Sequence, residues 1–346
     1  MKLRICLVSP YTLPVYCGNS NMAERLKRNF MKRGHEVGLF NSSKDDPMRA
    51  VDFSADIIHS LHAVRTESWV KTVVGSHPVP WLLTLTGTDY NEYRFGSRQA
   101  DLIKKNLIAA SAVTVFHTEA CDFVLSCYPK ISKKIHIVPQ SVDIVEHDNT
   151  PEFYRIKYGL DSDKVVFLMV AGIRPVKNIC CSLELFCDVY KRYNDVQLIL
   201  VGPVIDQKEA DRVLAEAERH PFFSYLGEKK PHEVREIMYA SDVFLNTSLH
   251  EGMPGALLEA MAEAKPVIAS RTTGNTTLVE DGYNGFLVPL HDRNTFISRI
   301  TELLLNEDMR LEMGCAGRDI VEKKFSTSRE TDSYISIYSS LIGLFR

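Results

Sequence analysis

Two hydrophobic periods alternate along the whole chain. Short apolar runs rich in Val, Ile and Leu are followed by stretches in which apolar residues return every three or four positions. The short runs predict strands at 4–8, 37–40, 57–60, 81–85, 113–116 and 135–138 in the first half. Between them the longer period predicts helices that include 21–33, 68–74, 98–110 and 119–127. The pattern restarts with strands at 165–170, 197–201, 223–226, 243–246, 267–269 and 286–288, separated by helices at 183–193, 209–220, 233–239 and 255–264. Uninterrupted apolar strands between amphipathic helices belong to parallel sheets covered on both faces. The fold class is therefore α/β, with two Rossmann-like, doubly wound domains.

Between the halves, residues 143–163 are polar, contain Pro151 and Gly159, and hold no strand pattern; they are read as a hinge. The domain division expected is 1–145 and 146–325, with a terminal helix at 326–346 that can pack back on the first domain. In a pair of facing doubly wound domains, the carboxyl ends of the strands line the ligand cleft.

Composition narrows the function. At 346 residues, 45% hydrophobic and 25% charged, the chain has material for two packed cores. A net charge of −3 gives no electrostatic case for a nucleic-acid partner. The first apolar run is cut by Ser9-Pro10, so it reads as a strand rather than a leader, and no run nears the roughly 18 residues of a membrane span. The eight cysteines form no paired C-x-x-C, which argues for a reduced, cytoplasmic protein without structural zinc. Peripheral contact at the inner membrane face stays open.

The densest chemistry is in His250–Ser270, HEGMPGALLEAMAEAKPVIAS. Pro254 suits a first helical position, leaving the amides of Gly255, Ala256 and Leu257 as unpaired donors at a helix start, an anion site. Leu257, Leu258 and Met261 form the buried stripe, and Glu259 lies off it, leaning toward the helix start. Glu263, one turn on, is expected on the solvated face. Glu251 falls just beyond the strand end at Asn246. A second cluster, Arg174 and Lys177, lies on the loop after residues 165–170 and offers cations for phosphates. Cys17-Gly18-Asn19-Ser20 links the first strand to the first helix with one glycine, too few for a dinucleotide fingerprint. Asp161-Ser162-Asp163 matches a metal-binding Asp-x-Asp string but lies among turn residues of the hinge.

Glu251 and Glu259 with seven residues between them resemble the E-x7-E motif of the family 4 (group 1) retaining glycosyltransferases. Gly34-His35-Glu36-Val37, Val138-Pro139-Gln140-Ser141, and Leu226-Gly227 near Ala240-Ser241-Asp242 fit the same family. Gly18-Asn19, Leu61-His62-Ala63-Val64-Arg65 and Gly87-Thr88-Asp89 bring it near two subgroups, the glycosyltransferase 1 domain-containing proteins and the selenosugar synthases.

The resemblance implies a GT-B fold and a metal-independent hexosyltransferase with no cofactor, its donor a nucleotide sugar, UDP-linked, held mainly by the second domain. Glu259 would hold the ribose and Glu251 a sugar hydroxyl. Arg174 and Lys177 would stabilise the leaving diphosphate, with Gly18, Asn19 and the backbone of Met253, Pro254, Gly255 and Ala256 assisting. The base would lie near Gly227–Lys229. The arginine-to-lysine advance is three residues here, where many members have five. Thr86 stands where a family histidine often precedes Gly-x-Asp, which leaves Asp89, His62 and His117 as acceptor-side candidates. The acceptor is a small molecule, glycan or lipid; selenosugar or thiosugar formation and non-catalytic nucleotide-sugar binding are the alternatives. Ala264 replaces a common helix-ending glycine.

Overall fold

The computed structural model describes residues 2–91 and 97–345. The chain divides into two compact units, Met1–Ser141 with Thr327–Arg346, and Val142–Ser326. Each is built on one six-stranded, all-parallel sheet.

In the first unit the strands are β1 (Arg4–Ser9), β2 (Glu36–Asn41), β3 (Ile57–Leu61), β4 (Trp81–Thr84), β5 (Ala112–Val115) and β6 (Ile135–Ile137), in the spatial order β2-β1-β3-β4-β5-β6. The chain winds outward from β1 in one direction and from β3 in the other, so the topological switch lies between those two. Ligands of open α/β sheets bind outside the carboxyl ends at such a switch. The last helix, Thr327–Phe345, covers this sheet. Its Tyr338 hydroxyl lies 2.6 Å from Nδ1 of His59 on β3, whose Nε2 lies 2.7 Å from the Thr84 hydroxyl. Complete burial pushes the His59 pKa down to about 3, so this ring serves as a neutral hydrogen-bonding bridge. Arg25 on the first helix pairs through two nitrogens with the buried Glu330 carboxylate, fixing the same terminal helix from its other end.

The second unit contains β7 (Val165–Val170), β8 (Val196–Val201), β9 (Phe223–Tyr225), β10 (Val243–Asn246), β11 (Val267–Ser270) and β12 (Gly285–Val288), ordered β12-β11-β10-β7-β8-β9. Its switch lies between β7 and β10. The stretch read as a hinge is structured within this unit: Pro151–Tyr158 is a helix, opened by the Thr150 side-chain cap and closed at Gly159 in the left-handed region, φ 68°. Its Arg155 bonds Asp242 at 2.6 Å and the carbonyls of Ala240, Asp161 and Lys164. Asp161 accepts from the Asp163 amide and pairs with Lys164, so the Asp-x-Asp string is used as a turn.

Helix Gly255–Ala262 ends in a Schellman arrangement, with the Ala264 amide on the Met261 carbonyl and that of Lys265 on Ala260. This places Ala264 at φ 55°, where a Cβ is disfavoured. Ala264→Gly should therefore stabilise the protein by about 1 kcal/mol in denaturant unfolding; a loss of stability would show that the Ala264 methyl group makes packing contacts worth more than the strain.

Candidate active site

The strand period sends the chain off β7 into Ala171-Gly172-Ile173-Arg174, and Pro175–Lys177 then makes one 3₁₀ turn. Asn178 reverses the backbone at φ 52° before the next helix begins at Ile179. This tight turn aims Lys177 at the neighbouring loop. The two loops flanking the switch are also sewn together: the Leu249 amide donates to the Val176 carbonyl, and the Thr247 hydroxyl reaches the carbonyls of Lys177 and Asn178.

Across the switch, Lys177 Nζ donates to Glu251 Oε1 at 2.7 Å, and Asn246 Nδ2 approaches the same oxygen at 3.3 Å. The two side chains retain 16% and 10% of their exposure, so the ion pair is largely dry. Burial by itself raises the Glu251 carboxyl, but the Lys177 charge and hydrogen bonds from Lys177, Ser248 and Asn246 outweigh it and hold the group below the usual carboxylate range. Glu251 is thus an anion at neutral pH.

Pro254 occupies the N-cap rather than the first helical position. Its carbonyl accepts from the Leu257 and Leu258 amides at 3.2 Å, which removes Leu257 from the expected donors and leaves Gly255 and Ala256 as the amides without an intrahelical acceptor. Leu257, Leu258 and Met261 are buried as their spacing implies, and Glu259 is half-buried. Glu263 corrects its expected place in solvent: it is 5% exposed, accepts from Arg235 Nε at 2.7 Å and lies 2.9 Å from His147 Nε2. Spacing along one helix could not show this, because both partners come from elsewhere.

Lys229 is half-buried beyond β9, after Gly227 at φ 72°, whose carbonyl accepts from the Gly202 amide. Gly274 carried no signal in the sequence. A Cβ there would lie 2.6 Å from the Gly252 carbonyl oxygen and 2.9 Å from the Glu251 Cβ. Only a glycine lets the loop after β11 support the Glu251 backbone so closely.

In the first unit, Gly18 opens helix Gly18–Lys32 from an exposed position, with Asn19 half-buried beside it. His62, Asp89 and His117 follow β3, β4 and β5 and are all buried. Asp89 accepts from the amides of Ala63, Thr86 and Gly87. His62 Nδ1 accepts from the amides of Val64 and Arg65, and His117 Nδ1 from that of Ala120. These contacts give Asp89 a loop-fixing duty. No helix among the described residues is long and apolar enough to cross a membrane, and all eight cysteines are free.

Residues 151–320 match the family model described as glycosyl transferases group 1. The trehalose synthase of Pyrococcus horikoshii is 29% identical over 61% of this chain and 54% of its own length, so the matched part is about half of that relative. Glycosyltransferase 1 domain-containing protein 1 of Xenopus tropicalis is 23% identical over 95% of this chain and 96% of its own. Among solved structures, Anabaena Alr3699/HepE in complex with UDP and glucose superposes with a TM-score of 0.82 at 16% identity, covering 98% of this chain and all of that one. Two Rossmann-like parallel sheets of this kind make the fold GT-B.

Proposed function

With residues 151–320 matching the model of the group 1 glycosyl transferases, we propose that this protein moves a sugar from a nucleotide-sugar donor, UDP-linked, to an acceptor, with retained anomeric configuration and without a metal. The observation that carries the reading is the Lys177–Glu251 pair at the β7/β10 switch, beside Arg174 and the helix start at Gly255. UDP is favoured because the Anabaena protein of similar fold is in complex with UDP and glucose.

In the transfer, the bond from the anomeric carbon to the diphosphate oxygen breaks and one from that carbon to the acceptor oxygen forms. The acceptor's proton leaves with the released diphosphate. Negative charge grows on the departing oxygen, and fixed cations in a dry site stabilise it better than water does. Lys177 has three donors, so it can hold Glu251 and still meet a diphosphate oxygen. Arg174 supplies a planar second cation, and the amides of Gly255 and Ala256 supply dipoles. Glu251 then faces a sugar hydroxyl, Glu259 the ribose, and Lys229 the base.

A melting-temperature panel of UDP, ADP and GDP checks the donor class. Ligand at 100 times its Kd adds about 2.7 kcal/mol to stability, several degrees in a protein of this size. UDP is expected to give the largest shift. No shift with any of the three, or turnover that disappears with chelator and returns with manganese, would refute the proposal.

A further inference from the structure

We infer that the acceptor carries an anionic group, a carboxylate or a phosphate, and that Arg65 receives it; this rests on the transferase reading above. Arg65 is exposed on the loop after β3, at the switch between β1 and β3. This is the position where an open parallel sheet offers its ligand site. Arg4, Arg25, Arg33 and Arg49 of the same unit each pair with a carboxylate. Among the described residues Arg65 makes no ion pair. Its guanidinium rests over the Tyr11 ring at 5.5 Å and donates one hydrogen bond, Nη1 to the Tyr11 hydroxyl at 3.2 Å. The remaining donors form the planar fork that suits a carboxylate or phosphate.

The backbone beneath this side chain is unusually constrained. The Arg65 amide donates to His62 Nδ1 at 3.3 Å, and its carbonyl accepts from the Ser42 hydroxyl at 3.0 Å. Thr66 bonds back to the His62 carbonyl at 2.8 Å, Asp89 holds the Ala63 amide at 3.0 Å, and Asn106 holds the Ala63 carbonyl at 2.7 Å. His62 is forced to φ 82°, a conformation that persists only where the surroundings over-determine it. The Tyr11 shelf is fixed in turn, by Ser9 on the Tyr11 carbonyl at 2.6 Å and Ser43 on that of Pro10 at 3.1 Å. A flexible surface arginine needs none of this; a receptor for one charged group does, because preorganisation removes the ordering cost at binding.

The test is an NMR or calorimetric titration of the full chain, with UDP present to fill the diphosphate subsite, using inorganic phosphate and malonate on wild type, Arg65→Gln, Tyr11→Phe and the control Arg33→Gln. Both anions are expected to bind wild type in the millimolar range. Arg65→Gln should weaken that response at least tenfold, Tyr11→Phe a few-fold, and Arg33→Gln should retain it; tighter phosphate or tighter malonate then names the acceptor's group. Absence of anion binding to wild type, or retention of it in Arg65→Gln, overturns the assignment. The UDP melting shift reports the donor reading separately, so failure of that reading and failure of Arg65 as the receptor are told apart.

Discussion

Lys177→Met is expected to lower sugar-transfer turnover roughly 100- to 1,000-fold, the usual loss when one fixed donor to a developing oxyanion is removed. The same variant should lose about 3–5 kcal/mol of stability, because it leaves the Glu251 carboxylate buried with only neutral partners. Both effects follow from one contact but separate in a double variant. Lys177→Met with Glu251→Gln removes the orphaned charge and should recover most of the stability, while turnover stays low. Chemical denaturation and steady-state rates with a UDP-sugar measure the two. Turnover within three-fold of wild type in Lys177→Met would remove Lys177 from the chemistry.

The pair also predicts a pH dependence. The folded Glu251 carboxyl lies below its unfolded value, so its contribution is complete above the ordinary carboxylate range. It is lost as pH falls through the depressed folded value. Wild type should therefore lose stability on acidification from about pH 5 downward, and Glu251→Gln should lose less over that interval.

Arg235→Met should cost about 3–5 kcal/mol, the second large effect. Glu263 closes the helix that carries Glu259 and sits between Arg235 and His147, with the His147 ring stacked on Tyr239 at 4.1 Å. Arg235 additionally donates to the Asp143 carbonyl at 3.1 Å, tying residue 143 to this cluster. Losing Arg235 strands a buried carboxylate, whereas Arg235→Met with Glu263→Gln replaces the pair and should restore part of the loss. A midpoint change below 1 kcal/mol in the single variant would show that His147 alone compensates the charge.

The E-x7-E spacing was legible because it is local. Glu251, the helix start at Gly255 and Glu259 lie within nine residues, and helical geometry relates them without help from the rest of the chain. The twelve strands were legible for a similar reason, since runs such as Val165–Val170 are buried on both sheet faces and so are apolar throughout. Pro254 was displaced by one position because helix starts differ by a residue or so even when the helix itself is plain. The helix Pro151–Tyr158 was hidden because its apolar residues do not line one buried face: Phe153 and Ile156 are exposed and only Tyr154 is buried, so the hydrophobic period barely registers.

What the sequence determined by itself was the alternation of strand and helix, the placing of Arg174, Lys177, Glu251 and Glu259 at strand ends and a helix start, and the fold class. The tertiary structure alone decided which charges meet. Lys177 and Glu251 are 74 residues apart, and His147 and Glu263 are 116 apart. It also showed that Asp89 spends its oxygens on three backbone amides, while Arg65 among the described residues donates from its side chain only to the Tyr11 hydroxyl. Periodicity and propensity act over a few residues, whereas an ion pair depends on the order of strands in a sheet, and that order is settled only when the whole domain packs.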